Sequence, residues 1–298
     1  MLDAHFGVEQ AVRSATGLVL PFNGTCGVWR RSAIDDSGGW TADTLTEDLD
    51  LSIRAHLAGW RATFLPDVTV PGELPAVLAS WRTQQFRWTK GFVQVGAKLL
   101  PRVWRSNLPT LSKFALTLGI GQSLFCPLAI LCLLNSAALL WLSGGQPLAV
   151  VVLGLAATCV GMVSAYAFMA LGQMATARGR GRLLPLTVAA AMTLSSGLIL
   201  SNSRAVIEVI ARRRSPFIRT PKAGALGAVR AGTGHVGSSG IPELAFGAGL
   251  FASMVGGAGW YSPFLASTIV GLVFVGGSLL RDSCRSWWPA LPASPSLR

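Results

Sequence analysis

From Ala115 to Leu142, and again from Pro147 to Leu171, the chain carries no charged residue. Each run is long enough for the ~20 residues that an α-helix needs to cross a bilayer. Inside lipid every backbone N–H and C=O must be paired within the protein, so such runs fold as helices packed on one another. Two further uncharged runs follow, Leu244 to Trp260 and Phe264 to Leu280. A fifth, Leu183 to Leu200, is flanked by Arg178, Arg180 and Arg182 on one side and by Arg212 to Arg214 on the other. Basic flanks favour the cytoplasmic face, so both ends of this run belong on the same side. Its Ser195, Ser196, Asn202, Ser203 and Arg204 also give it a polar flank. We therefore expect residues 111–298 to form a membrane region with about four transmembrane helices and one interfacial helix (183–210). Five simple crossings is the alternative that hydropathy alone gives.

Charge follows the same division. Of the formal net charge of +12, residues 1–110 hold 11 Lys+Arg against 10 Asp+Glu, and residues 111–298 hold 14 against 3. The basic excess sits between apolar runs, where loops face anionic lipid, and argues against nucleic acid as a partner. The expected setting is the lipid bilayer of a cell (plasma or inner) membrane, crossed several times, with the soluble part and both termini cytoplasmic. The Gly- and Ser-rich stretch 212–240 reads as a cytoplasmic segment. The five cysteines form no C-x-x-C pair, so neither a zinc site nor a disulfide framework is indicated.

Residues 1–110 read as an α/β unit. "GLVLPF", "CGVW" and "RATFLPDVTV" look like short strands, while Leu49, Ile53 and Leu57 recur at helical spacing. Two clusters within it can carry chemistry. The first is acidic: Asp43, Glu47, Asp48 and Asp50. Thr46 suits an N-cap, which places Glu47 and Asp48 where the helix dipole favours negative charge; capping alone explains them. Asp48-Leu49-Asp50 has the form D-x-D, but residues two apart on a helix point about 200° from each other and do not share one ion. We assign no metal ligand in this chain, and read Asp43 and Asp50 as turn and helix-surface residues.

The second cluster is "QQFRW". On a helix Gln84, Arg87 and Trp88 share a face at i, i+3 and i+4. That face offers an amide, a guanidinium able to grip phosphate through two N–H groups, and a flat ring on which a sugar can stack. A membrane-surface helix anchored by Trp81 and Trp88 is the competing reading.

Taken together, "FNGTCGVWRR", "TED", "HLAGW" and "QQFRW" resemble the second half of the catalytic domain of processive family 2 glycosyltransferases. This is the cellulose synthase and cellulose-synthase-like group, with the glucomannan and mannan synthases nearest in wording. The resemblance implies a partial GT-A-type domain over residues 1–110, ahead of the α-helical multi-pass membrane region. It implies a membrane-bound inverting transferase that moves sugar from a nucleotide-sugar donor, UDP-glucose or GDP-mannose, to a growing β-glycan acceptor. It makes Asp48 the general base with Glu47 beside it, assigns Gln84 and Arg87 to the donor pyrophosphate, and assigns Trp88 to the acceptor sugar. Phe22, Asn23, Gly24 and Thr25 resemble the acceptor-positioning segment. "FIRTPK" resembles the gating loop through Phe217, Thr220 and Lys222, with Arg219 standing where the family has Val. The family's preceding nucleotide-binding unit, which holds Mg²⁺ or Mn²⁺, has no counterpart before Phe22, so a truncated and inactive form is expected. A non-processive ceramide-type glycosyltransferase and a non-catalytic export or scaffold subunit are the alternatives.

Overall fold

The computed structural model describes residues 4–72, 74–75, 77–142, 152, 163–164, 167–174, 184–217, 239–256 and 263–287. A π-helical stretch His5–Gln10 leads into α1 (Ala11–Ala15). Two short helices follow, α2 (Arg31–Asp36) and α3 (Glu47–Leu57), then the long α4 (Leu78–Arg105). After α5 (Thr110–Gly121), a 3₁₀ turn at Gln122–Leu124 leads into α6 (Phe125–Leu142). The remaining elements are α7 (Leu184–Gly197), α8 (Ile199–Ile210), α9 (Ile241–Gly256) and α10 (Pro263–Trp287).

The α/β expectation does not appear in this arrangement: among the described residues there are helices and connecting segments but no strand. The reason is visible around "GLVLPF". The Leu20 N–H donates to His56 Nε2 at 2.9 Å, the Val19 carbonyl accepts from Arg13 Nη1 at 3.2 Å, and the Pro21 carbonyl accepts from Gln10 Nε2 at 3.2 Å. Side chains thus take the hydrogen bonds that a neighbouring strand would take, and backbone groups paired in this way form no ladder.

Helix α4 is the hub. Val95, Leu99 and Val103, spaced by four and all inaccessible to solvent, bury one stripe against Leu49 and Ile53 of α3 and Leu116 and Ile120 of α5. Leu57 packs on the edge of this cluster, so the Leu49-Ile53-Leu57 spacing does mark the buried face of α3. Burial of each such side chain stabilises by roughly 1.5–3 kcal/mol. Gly96 admits Ile120, because a Cβ there would stand 2.7 Å from its methyl group.

Two described helices are long and apolar enough to cross a membrane, Thr110–Asn135 and Phe264–Cys284. Helices α7 and α8 make a third if taken as one span, but they bend by 46°. The bend falls at the buried Leu198. The expected single helix over 183–210 is therefore two pieces: α7 lies along α10, while α8 packs on α4 and α6. The apolar α9 has 16 residues. Most of Pro147–Leu171 lies outside the described residues. Helices α7 and α10 approach through glycine, since a Cβ on Gly197 would strike the Gly271 carbonyl and one on Gly271 the Thr193 carbonyl. Small residues at a crossing let helix backbones touch, as membrane packing favours.

Candidate active site

Thr46 stands at the N-cap of α3 with extended φ of −132°, but its side chain caps nothing. Its hydroxyl is buried and takes no partner. The reason is steric: Gly91 of α4 presses on this side chain, and a Cβ at Gly91 would collide with it. Thr46 therefore serves as a contact between α3 and α4, while Asp48 Oδ1 accepts the Leu49 N–H at 2.8 Å.

The four acids separate into different environments. Asp50 is not a surface residue: it is fully buried. Its carboxylate pairs with Arg54 at 2.6 Å and Lys98 at 2.7 Å, and accepts the Thr41 hydroxyl at 3.0 Å. Arg54 continues to the Ser37 carbonyl, clamping the turn that precedes α3. Asp43 pairs with the same Lys98 at 2.8 Å, from an exposed position. Glu47 is exposed and Asp48 half-buried. Burial pushes the Asp48 carboxyl above the ordinary carboxylate range; the Leu49 N–H works against this, Glu47 adds to it, and Arg87 opposes it.

The segment Phe22–Thr25 lies against this carboxylate. Gly24 has φ of +70°, and a Cβ there would come within 2.6 Å of Asp48 Oδ2. Only glycine combines that left-handed backbone with that closeness. Phe22 stands edge-on to Trp29 with ring centres 5.5 Å apart, and Trp29 to Trp40 at 6.0 Å. Asn23 Oδ1 lies 3.3 Å from His5 Nε2; Thr25 is exposed.

The "QQFRW" segment is helical, as its spacing requires, within the first half of α4. Gln84 is half-buried and Trp88 is 38% exposed. Trp81 instead packs on the membrane helices beside Leu198, Val275 and Leu279, so the two tryptophans serve different surfaces. The Arg87 guanidinium covers the Phe217 ring at 4.5 Å from its centre. Burial lowers the Arg87 pKa while Glu47 and Asp48 raise it. The sequence-predicted Asp48, Glu47, Gly24, Arg87 and Phe217 thus come together. Thr220 and Lys222 lie outside the described residues.

A cleft of about 330 Å³ opens beside Arg87, lined by Thr83 and Phe86 of α4, Arg204 and Glu208 of α8, and Arg213 to Pro216. Sequence reasoning missed its α8 wall and Lys90. Glu208 stands out as one of only three acids after residue 110, but the neighbouring Arg204 answers its charge locally and nothing in the sequence points to Lys90.

The D-x-D run does not fit a divalent ion, because Asp50 is already occupied by two cations. Among the described residues no three His, Cys, Asp or Glu side chains gather in a way that would hold one.

Residues 1–177 match the model of glycosyl transferase family group 2. Glucomannan 4-beta-mannosyltransferase 1 of Oryza sativa subsp. japonica is 46% identical over 112 residues, 38% of this chain and 22% of that protein. Glucomannan 4-beta-mannosyltransferase 7 of Arabidopsis thaliana is 44% identical over 112 residues, 38% of this chain and 20% of that protein. Glucomannan 4-beta-mannosyltransferase 1 of Cyamopsis tetragonoloba is 47% identical over 102 residues, 34% of this chain and 19% of that protein. The chain thus spans about a fifth of the length of these curated relatives. No solved structure matches it. Because the family match covers more than half of its residues, the chain belongs to glycosyl transferase family group 2.

Proposed function

We propose that this chain supplies the acceptor-side half of the active site of a membrane-bound, inverting, processive β-glycosyltransferase, with a mannosyl or glucosyl nucleotide as donor and a growing β-glycan as acceptor. The names of the curated relatives favour mannose, hence GDP-mannose. In the step itself the acceptor hydroxyl oxygen attacks the anomeric carbon. The bond from that carbon to the diphosphate breaks with inversion, and the hydroxyl proton passes to Asp48. Asp48 suits this role because burial makes its carboxylate a stronger base than an exposed aspartate. Arg87, coupled to Glu47 and Asp48, holds the donor diphosphate, with Gln84 one turn away on the same face. Trp88 offers an exposed ring to the acceptor sugar.

One observation carries this reading: Gly24 lies directly against the Asp48 carboxylate, which supports a base set beside the acceptor-positioning segment. The experiment is Asp48→Asn, assayed in membranes with radiolabelled donor. The chain is fused behind a nucleotide-binding unit of the family 2 type, which supplies the part that the resemblance implies. Transfer should fall by about 10²–10⁴-fold. Unchanged product would remove Asp48 from the mechanism. Product length in the same assay separates a polymerase from an enzyme that adds one sugar to a lipid.

A further inference from the structure

Lys90 follows the "QQFRW" segment by two residues and is fully buried, one turn beyond Arg87 on α4. Its ammonium donates to Glu208 Oε2 at 2.7 Å, to the Arg213 carbonyl at 2.8 Å and to Ser215 Oγ at 2.5 Å. An ammonium has three N–H donors, and here every one is used. The Ser215 hydroxyl in turn donates to Glu208 Oε2 at 3.0 Å, closing a ring of hydrogen bonds. Glu208 is held from its other side by Arg204 at 2.9 Å.

The partners of Lys90 lie on the turn that ends α8. Arg212 takes a left-handed φ of 53°, and its N–H donates to the Val209 carbonyl at 2.9 Å. The Arg213 N–H reaches back to the Glu208 carbonyl at 2.8 Å. This is a Schellman ending, which reverses the chain sharply at a fixed place. Two residues beyond Ser215 comes Phe217, whose ring lies under the Arg87 guanidinium. Lys90 and Arg87 are three positions apart on one helix, so the chain leaves α4 through one contact and returns to it through the other. The Arg87 guanidinium lies over the Phe217 ring and is also coupled to the charges of Glu47 and Asp48.

We propose that Lys90 is a positioning residue for the transfer reaction: by tying Glu208, Arg213 and Ser215 to α4 it fixes residues 213–217, so that Phe217 holds Arg87 in the orientation that meets the donor diphosphate. The proposal rests on the role assigned to Arg87 above. It concerns how that cation is aimed, and Lys90 itself touches no substrate.

The test uses two variants, because Lys90→Met alone leaves the buried Glu208 with only Arg204 and Ser215 and so mixes loss of the clasp with loss of stability. Lys90→Met/Glu208→Leu removes both charges, a change that cores usually tolerate. Ser215→Ala cuts only the hydroxyl link. The first measurement is amide hydrogen exchange of the full chain in detergent micelles. Residues 211–217 should exchange about 10-fold faster in the double variant and about 3-fold faster in Ser215→Ala, with α3 and the Val95–Val103 stripe unchanged. Equal exchange in parent and double variant, with α3 still protected, overturns the proposal. The second measurement is donor KM and kcat in the fusion described above. KM should rise about 10-fold with kcat within about 3-fold, the pattern of lost binding rather than lost chemistry. A fall in kcat alone overturns it as well. If exchange accelerates while the parent fusion makes no product, the clasp stands as a holder of residues 213–217 and the catalytic reading of Arg87 fails instead.

Discussion

Asp50 and Asp48 are two positions apart and live under opposite physics. Asp50 is fully buried between Arg54 and Lys98, and Asp50→Ala would leave two cations without their shared partner. Breaking a buried pair from one side costs about 3–5 kcal/mol, so thermal unfolding of this variant should begin well below that of the parent. Asp48 has no such cage, and its pKa answers to its neighbours. In the role proposed for it Asp48 must be ionised, so the rate of transfer should fall as pH drops through its raised pKa. Glu47 raises that pKa and Arg87 lowers it. Glu47→Gln should therefore move the acid limb of the pH–rate profile to lower pH, and Arg87→Met should move the residual activity's limb to higher pH. His56 adds a dependence of stability on pH. It accepts the Leu20 N–H at Nε2 and faces the Trp60 carbonyl with Nδ1 at 3.1 Å, so the neutral ring carries its proton on Nδ1. Burial lowers its pKa from 6.5 to about 4. Between those values the unfolded chain binds a proton that the folded chain refuses, so stability falls as pH drops through 6.5 and levels off below about 4. The loss amounts to up to about 3 kcal/mol. A His56→Gln variant should show a shallower loss of Tm over that window.

At the level of elements, what the sequence made legible was periodic, and what it hid was distant. The helical face of Gln84, Arg87 and Trp88 and the buried stripe of Leu49, Ile53 and Leu57 follow from spacing alone, because helix geometry repeats within one turn. The contact from Lys90 to Glu208 spans 118 positions, and no local rule reaches that far. Asp50 was misread as surface because its i,i+4 pair with Arg54 suits an exposed helix face equally well, and its second cation, Lys98, lies on another helix. The strand expectation failed because β-branched composition describes a half-buried surface rather than a hydrogen-bond partner. Arg212 gives an element-scale prediction. Its left-handed φ of 53° costs an L-residue roughly 1–2 kcal/mol. Arg212→Gly should therefore leave α8 intact and raise Tm slightly in thermal unfolding.

For the molecule as a whole, α4 joins the two halves. Arg82 pairs with the buried Glu243 of α9 at 2.8 Å, and Lys90 with Glu208 of α8. On other flanks Gly91 meets Thr46, Gln94 accepts the Leu45 N–H at 2.9 Å, and Lys98 reaches Asp43 and Asp50. Gly91→Leu would drive a side chain into Thr46 and should lower transfer and stability together, read as activity and as exchange of the α3 amides. The glycine contact of α7 with α10 has the same character, and Gly271→Leu should prevent those helices from closing.

The run from Arg82 to Lys98 also works like a shaft whose two sets of teeth must keep a constant phase. Each residue added to a helix turns everything beyond it by about 100° and advances it by about 1.5 Å. An alanine inserted after Phe92 would leave Arg82 and Lys90 meshed with α9 and α8 and swing Lys98 away from Asp50. This stretch should accept many exchanges of one side chain for another, yet reject a change of length by a single residue.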